Sequence, residues 1–494
     1  MERVLVVGGG VAGLASALAL KLQDVEVVIV ERDGPLPAMD PQDAFEHWKR
    51  PGVSQFHHSH ILLSRLHTMI REHHPELLAE LLAAGLVVAE IGEMLPSQHL
   101  AGYQPQADDA DLLHLWGRRA TFEYVLRRHV ESLSHVRFIC DARVEGLIAD
   151  ESEQGVRIKG LRIRQQDEFS ELMGDVVIDA SGSRSSCRKW LQELGVRVSL
   201  EEHPSSYGYY CRHYKLRDPS HPPSRYGTGA NLDYLWYGIF YAEDGHFSVA
   251  ISCPLEEQAL NERLRRAEGF ERVCGLMPAV ARWTKVAVPT TQVFGAGGLA
   301  NRWYTYGGED SRPLLGYLPV GDSHLHTNPM YGRGCSSAFI QAHEMAQALQ
   351  QCNDAGERAR RYFKGTRERV RPHFDASTGA DKLFLNRALL LRGGALRLPD
   401  RLLNYLYDAV WTPALLRSPL VAREMLKAMQ MRELSRIGLR LAVLVQIAIS
   451  FFRHVLRLPQ PTPIPQGPGR AQLLSELSAS QDEFDASAQD VSVS

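Results

Sequence analysis

The first thirty residues carry the feature that most constrains the fold of this chain. A short apolar run, 4–7, is followed by the glycine-rich segment 8–13, by a stretch without helix breakers, and by a second apolar run, 25–30. This order of strand, tight turn, helix and strand is typical of a βαβ unit. The sequence therefore predicts a parallel α/β domain that begins with the chain.

Each glycine in this turn has its own expected role. Gly8 allows a sharp turn, Gly10 lets the backbone approach a pyrophosphate closely, and Gly13 lets the helix pack on the sheet. The free N–H groups and positive dipole end of the helix then face the phosphates. Glu31, at the tip of the second strand, is placed to accept hydrogen bonds from a ribose diol. We therefore predict a dinucleotide site, which could hold NAD or FAD.

The composition narrows the protein class. The 494 residues carry a formal net charge of −3 and give no indication of a nucleic-acid partner. The seven cysteines have no Cys-x-x-Cys spacing, which argues against a zinc site or a disulfide framework and fits a reducing compartment. Because the first strand begins almost at Met1, we expect no signal peptide and a cytoplasmic protein.

A second domain is predicted from about residue 201. Short alternating strands between 138 and 164 predict a small antiparallel sheet inserted in the first domain, whereas 201–299 is crowded with tyrosine, tryptophan and phenylalanine. The runs 233–241 and 247–252 predict a hairpin. The aromatic rings either pack the core of this β-rich domain or line an apolar substrate cavity.

Three histidines follow Arg50 in the segment 50–60. A metal site at His57, His58 and His60 is disfavoured, because the spacing of the last two places their rings on different helix faces and no acid or cysteine lies close in sequence. The preferred interpretation is that Arg50, Gln55 and one histidine line a polar pocket or cap the next helix. No metal is expected.

A second glycine-containing loop lies late in the chain. A strand delivers Gly321 and Asp322, and the loop 328–334 then leads into a helix of small residues. This arrangement predicts a second helix N-terminus that attracts negative charge. Asp322 is unsuited to a phosphate and suits hydroxyl groups, such as those of a sugar alcohol chain.

The C-terminal part is predicted to be helical over 351–458. The apolar segment 441–452 is too short to span a bilayer, so a buried core helix is favoured and contact with a membrane surface is the alternative. The proline-rich, then acidic and serine-rich segment 459–494 is predicted to be a disordered tail.

Three motifs together resemble the class A flavoprotein monooxygenase superfamily, which includes aromatic hydroxylases, squalene-type epoxidases, flavin-dependent halogenases and geranylgeranyl reductases. They are Gly8-x-Gly10-x-x-Gly13 with Glu31-Arg32, Asp179-Ala180-Ser181-Gly182-x-x-Ser185, and Gly321-Asp322 with Asn328-Pro329-x-Tyr331-Gly332-x-Gly334. Residues 50–60 and the last loop are most similar to the FAD-dependent epoxidase-like branch, which acts on polyketide and terpenoid alkenes. The motifs cover residues 1 to about 350 of this sequence.

The resemblance implies a role in FAD binding for each matching position. The glycine turn would hold the pyrophosphate, Glu31 the adenosine ribose, Arg50 and Arg119 the phosphate or ribityl region, and the Val144 backbone the adenine. Asp322 would bind the ribityl chain, and Pro329 with 332–334 would pass close to the isoalloxazine. The implied cofactor-binding residues are Gly8, Gly10, Val11, Ala12, Gly13, Glu31, Arg32, Arg50, Arg119, Val144, Asp322, Pro329, Gly332 and Gly334.

The implied fold is a Rossmann-like FAD-binding domain with a mixed-β substrate domain and a C-terminal helical region. The FAD-binding domain would comprise 1–200 and 300–350, the substrate domain 201–299, the helical region 351–458 and the tail 459–494. Ser181 replaces the acid or threonine that usually precedes the glycine of the middle motif, which puts the handling of NAD(P)H by this region in question.

The implied activity is transfer of one oxygen atom from a flavin hydroperoxide to an apolar, electron-rich substrate in secondary metabolism, by alkene epoxidation or aromatic hydroxylation. Electrons would come from NAD(P)H, directly or through a partner reductase. No side chain is assigned as catalytic acid or base; His58, His60, His324 and His326 are candidates by chemistry alone.

Three alternative activities are weighed against oxygen transfer. An FAD-dependent reductase of a prenyl or polyketide chain would use the same site. A halogenase is disfavoured because Trp-x-Trp-x-Ile-Pro is absent, and an NAD-dependent dehydrogenase because the Gly321-Asp322 loop would have no purpose. A protein without enzymatic activity would bind no FAD.

Overall fold

The computed structural model describes residues 1–53, 55–95, 99, 103–152, 155–308, 311–432 and 441–478. Its strands are β1 (Glu2–Val7), β2 (Val25–Val30), β3 (Ile61–Leu62), β4 (Val87–Ala89), β5 (His114–Trp116), β6 (Val136–Ile139), β7 (Ala142–Ser152), β8 (Gly155–Gln165), β9 (Glu168–Met173), β10 (Val176–Asp179), β11 (Val198–Pro204), β12 (Tyr207–Leu216), β13 (Gly229–Asn231), β14 (Trp236–Tyr241), β15 (His246–Pro254), β16 (Ala287–Pro289), β17 (Phe294–Ala296), β18 (Ala300–Tyr306), β19 (Leu314–Leu315), β20 (Tyr317–Pro319) and β21 (Leu325–His326).

The α-helices lie mainly in the N-terminal and C-terminal thirds of the chain. They are α1 (Val11–Ala19), α2 (Ala44–His47), α3 (Ser64–His73), α4 (Pro75–Ala83), α5 (Arg119–Glu131), α6 (Cys187–Glu193), α7 (Gln258–Leu264), α8 (Ala267–Leu276), α9 (Pro278–Thr284), α10 (Gly334–Gln351), α11 (Ala355–Leu391), α12 (Leu398–Leu406), α13 (Thr412–Arg417), α14 (Pro419–Met429) and α15 (Leu441–Val455).

The chain divides into two compact units. Unit 1 comprises Met1–Val87, Gly117–Pro204 and Ala300–Thr378. Unit 2 comprises Val88–Trp116, Ser205–Leu299 and the chain from Gly379 onward. The predicted limits of the cofactor-binding, substrate and helical domains stay predictions.

Unit 1 is built on a five-stranded sheet in the order β20-β10-β1-β2-β6. Each neighbouring pair is parallel. All of 4–7 in β1 is buried, as expected for a central strand that is covered on both faces. The predicted βαβ unit is present, with α1 between β1 and β2, and the predicted α/β class is confirmed.

A second sheet in unit 1 is mostly antiparallel. The strand β8 pairs with β7 along one edge, and its other edge pairs antiparallel with β9 and parallel with the short β19. The predicted small inserted sheet is therefore present, but the run that begins at Phe138 does not join it, because Phe138 and Ile139 lie in β6 and pair in parallel with β2. Its strand β7 carries a bulge between Val144 and Gly146. Leu147, Ile158 and Leu161 pack with Leu5 and Val177 of the parallel sheet, so both sheets share one core.

Unit 2 contains a six-stranded sheet in which β14, β15 and β12 are the central strands. The predicted hairpin is present as β14 and β15, with Trp236 opposite Ser252, and Asp244 and Gly245 have positive φ in its turn. Tyr207, Tyr214 and Tyr237 are almost fully buried. These three rings therefore pack the core of this unit.

The apolar helix α15 differs from the favoured prediction. The sequence favoured a buried core helix for 441–452, but α15 buries only Val443 and Ser450. That interpretation is wrong because an apolar composition does not establish that other residues cover the helix. Among the described helices, none has the length and hydropathy needed to cross a bilayer.

Part of the predicted disordered tail is described. Tyr234 Oη and Tyr237 Oη donate hydrogen bonds to the carbonyls of Pro468 and Gln466, at 2.9 and 3.0 Å, and residues 470–478 are helical. The remainder of the predicted tail, 479–494, lies outside the described residues.

Candidate functional site

The three motif glycines of the turn after β1 differ in whether the surrounding structure leaves room for a side chain. Gly8 has a φ of +101°, and a Cβ there would lie 2.8 Å from the carbonyl oxygen of Ala180. A Cβ on Gly13 would lie 1.9 Å from the carbonyl oxygen of Gly8. A Cβ on Gly10 would meet no described atom within 4 Å. Gly8 and Gly13 are thus required by the fold, whereas Gly10 faces open space that another group can enter.

Glu31 closes the same turn with its carboxylate. Its Oε2 accepts a hydrogen bond of 2.7 Å from the Gly9 backbone N–H, and its Oε1 accepts one of 2.9 Å from Asp33 N–H. The side chain is buried beside the Arg50 guanidinium at 3.4 Å. Glu31 therefore orients the glycine backbone, and further acceptor sites on its two oxygens remain for a ribose.

Arg50 lies in a buried network of charges behind the glycine turn. Its guanidinium is 3.2 Å from both Asp33 and Glu123 and donates to the carbonyl of Gly9 at 3.2 Å. Burial lowers the pKa of Arg50, but the carboxylates of Glu123, Glu31 and Asp33 together raise it by more. The pKa of Arg50 therefore lies above its usual value. Arg50 is a permanent cation at this turn.

Arg119 links that network to the second loop. Its Nε and one terminal nitrogen donate to Glu123 Oε2 at 2.9 and 2.7 Å, and the other terminal nitrogen contacts Cys335 Sγ at 3.1 Å. Burial opposes the charge of Arg119, but Cys335 and Glu123 favour it and hold its pKa above the usual value. Arg119 thus joins α5 to the first turn of α10.

Glu123 and Cys335 are site residues that the sequence analysis missed. Glu123 lies four residues after Arg119 on α5, the spacing at which opposite charges meet on a helix. This spacing was the available signal for Glu123. Cys335 follows the predicted loop directly but contacts a residue 216 positions earlier, which no local pattern indicates.

The loop after β20 lies against the glycine turn. Gly321 has a φ of +73°, and a Cβ there would lie 2.6 Å from the Cβ of Ala12. The next residue, Asp322, is partly exposed, and its carboxylate lies 3.9 Å from Nε2 of His326. Ser323 Oγ donates to the carbonyl of Asp179 at 2.5 Å, which ties the ends of β20 and β10 together. The two predicted halves of the site therefore adjoin in unit 1.

The segment before α10 forms a second sharp turn. The Asn328 side chain accepts a hydrogen bond from Met330 N–H, and Gly332 has a φ of +63°. A Cβ on Gly332 would lie 2.7 Å from Cγ2 of Ile61, and one on Gly334 would meet nothing within 4 Å. Pro329 and Gly334 are exposed.

The N-terminus of α10 carries no side-chain cap among the described residues. The helix runs for 18 residues from Gly334, and its cap residue Arg333 provides no capping hydrogen bond. The first N–H groups of a helix have no intrahelical partner, and they carry the positive end of the helix dipole. This end of α10 can therefore receive a negatively charged or hydrogen-bond-accepting group.

The middle motif has a structural role in this chain. Asp179 accepts hydrogen bonds from Ser181 Oγ, Ser185 Oγ and Tyr317 Oη, at 2.5, 2.5 and 2.7 Å. The buried carboxylate is thereby satisfied within unit 1. Ser181, the departure from the family pattern, is directed at Asp179.

Two further predicted residues lie at the margins of this arrangement. The Arg32 side chain is half exposed, 3.9 Å from Asp33, and its guanidinium covers Gly52. Val144 pairs with Ile163 immediately before the bulge in β7, where the regular ladder is interrupted. Neither placement tests the predicted contacts with FAD.

The candidate histidines are held as neutral or hydrogen-bonded groups. Burial, with His57, lowers the pKa of His58 to about 4, and burial lowers that of His324 to about 4. His60 Nδ1 shares a 2.8 Å hydrogen bond with the carbonyl of His58, and His326 Nδ1 shares one of 2.8 Å with that of Ala300. In the part of the chain that the structure describes, no three His, Cys, Asp or Glu residues are grouped as metal ligands.

Two curated proteins are similar to this chain, and no known protein-family profile matches it. Protein Rv3254 of Mycobacterium tuberculosis is 26% identical over 386 residues, which cover 72% of this chain and 74% of that protein. Violacein synthase of Chromobacterium violaceum is 23% identical over 420 residues, which cover 79% of this chain and 90% of that protein.

Solved structures with similar folds include flavin-dependent enzymes. The flavin-dependent brominase Bmp2 has a TM-score of 0.59 at 16% identity, covering 92% of this chain and 99% of Bmp2. PqsL of Pseudomonas aeruginosa, described as a probable FAD-dependent monooxygenase, has a TM-score of 0.55 at 17% identity, covering 78% and 95%. The p-nitrophenol 4-monooxygenase PnpA of Pseudomonas putida has a TM-score of 0.54 at 16% identity, covering 87% and 99%. The chain therefore has a fold similar to the folds of these flavin-dependent enzymes.

Proposed function

We propose that this protein is an FAD-dependent monooxygenase that transfers one oxygen atom from O2 to an apolar, electron-rich substrate. The observation that supports this most directly is the contact of Gly321 with Ala12. This contact places the Asp322 loop, which is suited to sugar-alcohol hydroxyls, against the start of α1, whose N–H groups would bind phosphate. An extended flavin dinucleotide contains both the hydroxyl groups and the phosphates.

The residues in unit 1 fit such a cofactor. The open space at Gly10 would accept the pyrophosphate, with the N–H groups of Val11 and Ala12 directed at it. Asp322 would bind ribityl hydroxyls through its partly exposed carboxylate. Arg50 and Arg119 would hold the glycine turn and the start of α10 in place for the phosphate and ribityl groups, since neighbouring carboxylates keep both guanidinium groups charged.

The start of α10 would serve the reacting end of the cofactor. Bound FAD supplies two-electron redox chemistry and activation of O2. The uncapped N–H groups of α10 would stabilise negative charge on the flavin ring, because they are preorganised and form the positive end of an 18-residue helix. The exposed Pro329 and Gly334 allow close approach of a flat ring.

Oxygen transfer to an alkene or an aromatic ring is the proposed chemistry. The epoxidase-like pattern in 50–60 and 328–334 supports an alkene, whereas the likeness to p-nitrophenol 4-monooxygenase supports an aromatic ring. The likeness to violacein synthase supports a role in secondary metabolism. We further propose that NAD(P)H supplies the electrons, directly or through a reductase, and that the protein acts in the cytoplasm.

The first experiment measures cofactor binding. The purified protein should be yellow and should retain FAD after gel filtration, and Asp322→Ala should lower the FAD affinity by about tenfold or more, as expected for a lost charged hydrogen bond. Asp24→Ala, which removes a well-exposed acid in the same unit, is the matched control. Unchanged FAD affinity in Asp322→Ala would remove that residue from the site, and a protein that binds no FAD would refute the proposal.

The second experiment identifies the reaction. Reduced enzyme is supplied with 18-O2, bromide and a panel of apolar alkenes and phenols, and products are analysed by mass spectrometry. One 18-O atom in the product supports oxygen transfer. Bromine in the product supports the halogenase alternative, which is included because the fold is similar to that of the flavin-dependent brominase Bmp2. Reduced product formed equally well without O2 supports the reductase alternative.

A further inference from the structure

Two helices of unit 2 present apolar side chains to solvent. In α15, Leu441 is 76% exposed and Phe452 is 61% exposed, and in α12 Leu398 is 79% exposed. Tyr405 of α12 and His454 of α15 share a 2.5 Å hydrogen bond, so the C-terminal ends of the two helices meet. We call this surface the α12–α15 face. Its exposed apolar members are Leu398, Leu402, Leu403, Tyr405, Leu406, Leu441, Leu444, Val445, Ile449, Phe451, Phe452, Val455, Leu456 and Leu458.

This face groups many exposed apolar side chains, whereas the exposed apolar residues of soluble proteins are usually scattered singly. Contiguous exposed apolar patches of this kind mark sites of interaction with a protein or a membrane. Helix α15 is about 22 Å long at 1.5 Å per residue, and it buries only Val443 and Ser450. A helix of this length is too short to cross the hydrocarbon core of a bilayer, which is about 30 Å thick, so at a membrane it would lie along the surface.

Exposed cations lie in α12 and next to the two helices, with Arg401 in α12, Arg397 just before it and Arg457 just after α15. Arg397, Arg401 and Arg457 are exposed, and none forms an ion pair with a described carboxylate. The acids of this region are neutralised elsewhere, because Asp400 pairs with Lys382 and Asp408 pairs with Arg387. The α12–α15 face is therefore apolar with free cations beside it.

We propose that the α12–α15 face binds the surface of an anionic phospholipid bilayer. The apolar side chains enter the boundary between headgroups and acyl chains, and the free arginines contact anionic headgroups. A second copy of this chain is a poorer occupant, because a dimer formed through this face would bring the arginines of both copies together, and Asp400 and Asp408, described acids of this region, are already paired.

The test uses the full-length protein and flotation with two kinds of vesicle: phosphatidylcholine alone, and equal parts of phosphatidylcholine and phosphatidylglycerol. The wild type should float with the mixed vesicles and bind the neutral ones more weakly. Arg401→Gln with Arg457→Gln should weaken binding to mixed vesicles by about twenty-fivefold, since each arginine contributes about fivefold near such a surface.

A second variant tests the apolar contribution. Leu441→Gln with Phe452→Gln should abolish binding to both kinds of vesicle. The control is Phe169→Gln, which removes a phenylalanine that is 73% exposed on β9 in unit 1 and should leave flotation unchanged. Because all these side chains are exposed, thermal unfolding of each variant should match the wild type.

The outcomes separate the occupants of this face. Failure of the wild type to float with mixed vesicles would overturn the proposal, and so would equal flotation of the wild type and the Leu441/Phe452 variant. Concentration-dependent self-association of the wild type, lost in that variant and without vesicle binding, would assign the face to a second copy. Loss of flotation in this variant together with the arginine effect would support the bilayer.

Discussion

Gly321 lies directly against Ala12, so closely that a Cβ on Gly321 would be 2.6 Å from the Cβ of Ala12. These residues are more than 300 positions apart in the sequence, yet they join the loop after β20 to the first turn of α1. The proposed cofactor site depends on this contact, because it holds the glycine turn, which would bind the phosphates, next to the acid that would bind the ribityl chain.

The first prediction concerns that contact. Gly321→Ala should destabilise the protein by about 2–4 kcal/mol, because the residue has a left-handed φ and the new methyl group overlaps Ala12. It should also lower FAD affinity, since the Asp322 loop must shift. Urea denaturation and fluorescence titration measure both effects. Gly275→Ala, in an exposed and open position of α8, is the control and should change the unfolding free energy by less than about 1 kcal/mol.

The second prediction separates the two kinds of glycine in the first turn. Gly13→Ala should destabilise FAD-free protein by about 3 kcal/mol, because its Cβ would overlap the Gly8 carbonyl oxygen at 1.9 Å. Gly10→Ala should leave that stability within about 0.5 kcal/mol, since nothing lies near its Cβ, but should weaken FAD binding by about tenfold or more. Equal FAD affinity in Gly10→Ala and the wild type would show that the pyrophosphate does not approach this position.

Local patterns in the sequence predicted the parts of the site that local geometry determines. Gly8, Gly13 and Gly321 could be identified because the backbone packs too closely there for a side chain. The neighbouring residues in the sequence indicate such turns. Glu123 contacts Arg50 across 73 positions, so its role depends on how the segment after α2 packs against α5. Pairings of this kind follow from the completed fold, not from spacing.

The C-terminal region shows a different limit of sequence analysis. The composition of 441–452 indicates an apolar helix but does not indicate what lies next to it, and α15 proved to be largely exposed. The segment 466–478 has the composition of a disordered tail, but Tyr234 and Tyr237 form hydrogen bonds with it. In both cases the partner, or its absence, is a tertiary property that composition does not encode.

The third prediction concerns the buried charges behind the glycine turn. Glu123→Gln should cost about 3 kcal/mol, because Arg119 and Arg50 would lose their shared buried carboxylate. Burial raises the pKa of Glu123, but the opposite charges of Arg119 and Arg50 lower it by more, so the pKa lies below its usual value. The ionised Glu123 carboxylate therefore stabilises the folded state above the usual carboxyl pKa of about 4.3, and this contribution is lost as the pH falls. The variant should therefore show a flatter acid limb in urea denaturation.

The matched control for Glu123 is an exposed ion pair in unit 1. Glu193 of α6 lies 3.7 Å from Lys189, also at a spacing of four residues, and both side chains are mostly exposed. Glu193→Gln should change the unfolding free energy by less than about 1 kcal/mol. Equal effects of the two substitutions would contradict the importance of burial in the Arg50–Glu123–Arg119 network.

The fourth prediction concerns acid stability and His74. Burial, with His343 and Lys21, lowers the pKa of His74 to about 3, and neither of its ring nitrogens has a hydrogen-bond partner among the described residues. As the pH falls below about 6.5, His74 binds a proton in the unfolded state but stays neutral in the folded state. The free energy of unfolding therefore decreases. His74→Leu should therefore be more stable than the wild type near pH 5, by about 2 kcal/mol.

The difference should shrink as the pH rises above about 6.5, because His74 is then neutral in both states. Urea denaturation at a series of pH values measures it. His47→Leu replaces an exposed histidine in unit 1 and should leave the pH dependence unchanged. If His74→Leu and the wild type lose stability in parallel on acidification, His74 is not one of the groups that produce the acid sensitivity.

The last prediction concerns the segment beyond Pro459. Removal of every residue after Pro465 deletes the carbonyls that accept hydrogen bonds from Tyr234 and Tyr237, and it also deletes Arg470, whose guanidinium lies 2.8 Å from the buried Glu257 carboxylate. The two hydrogen bonds contribute about 1 kcal/mol each, and loss of the partner of a buried carboxylate adds about 3 kcal/mol. This truncation should therefore lower the unfolding free energy of unit 2 by about 4–5 kcal/mol. Truncation after Ser478 keeps all three contacts and should leave stability unchanged, so equal destabilisation by both truncations would contradict this account of 466–478.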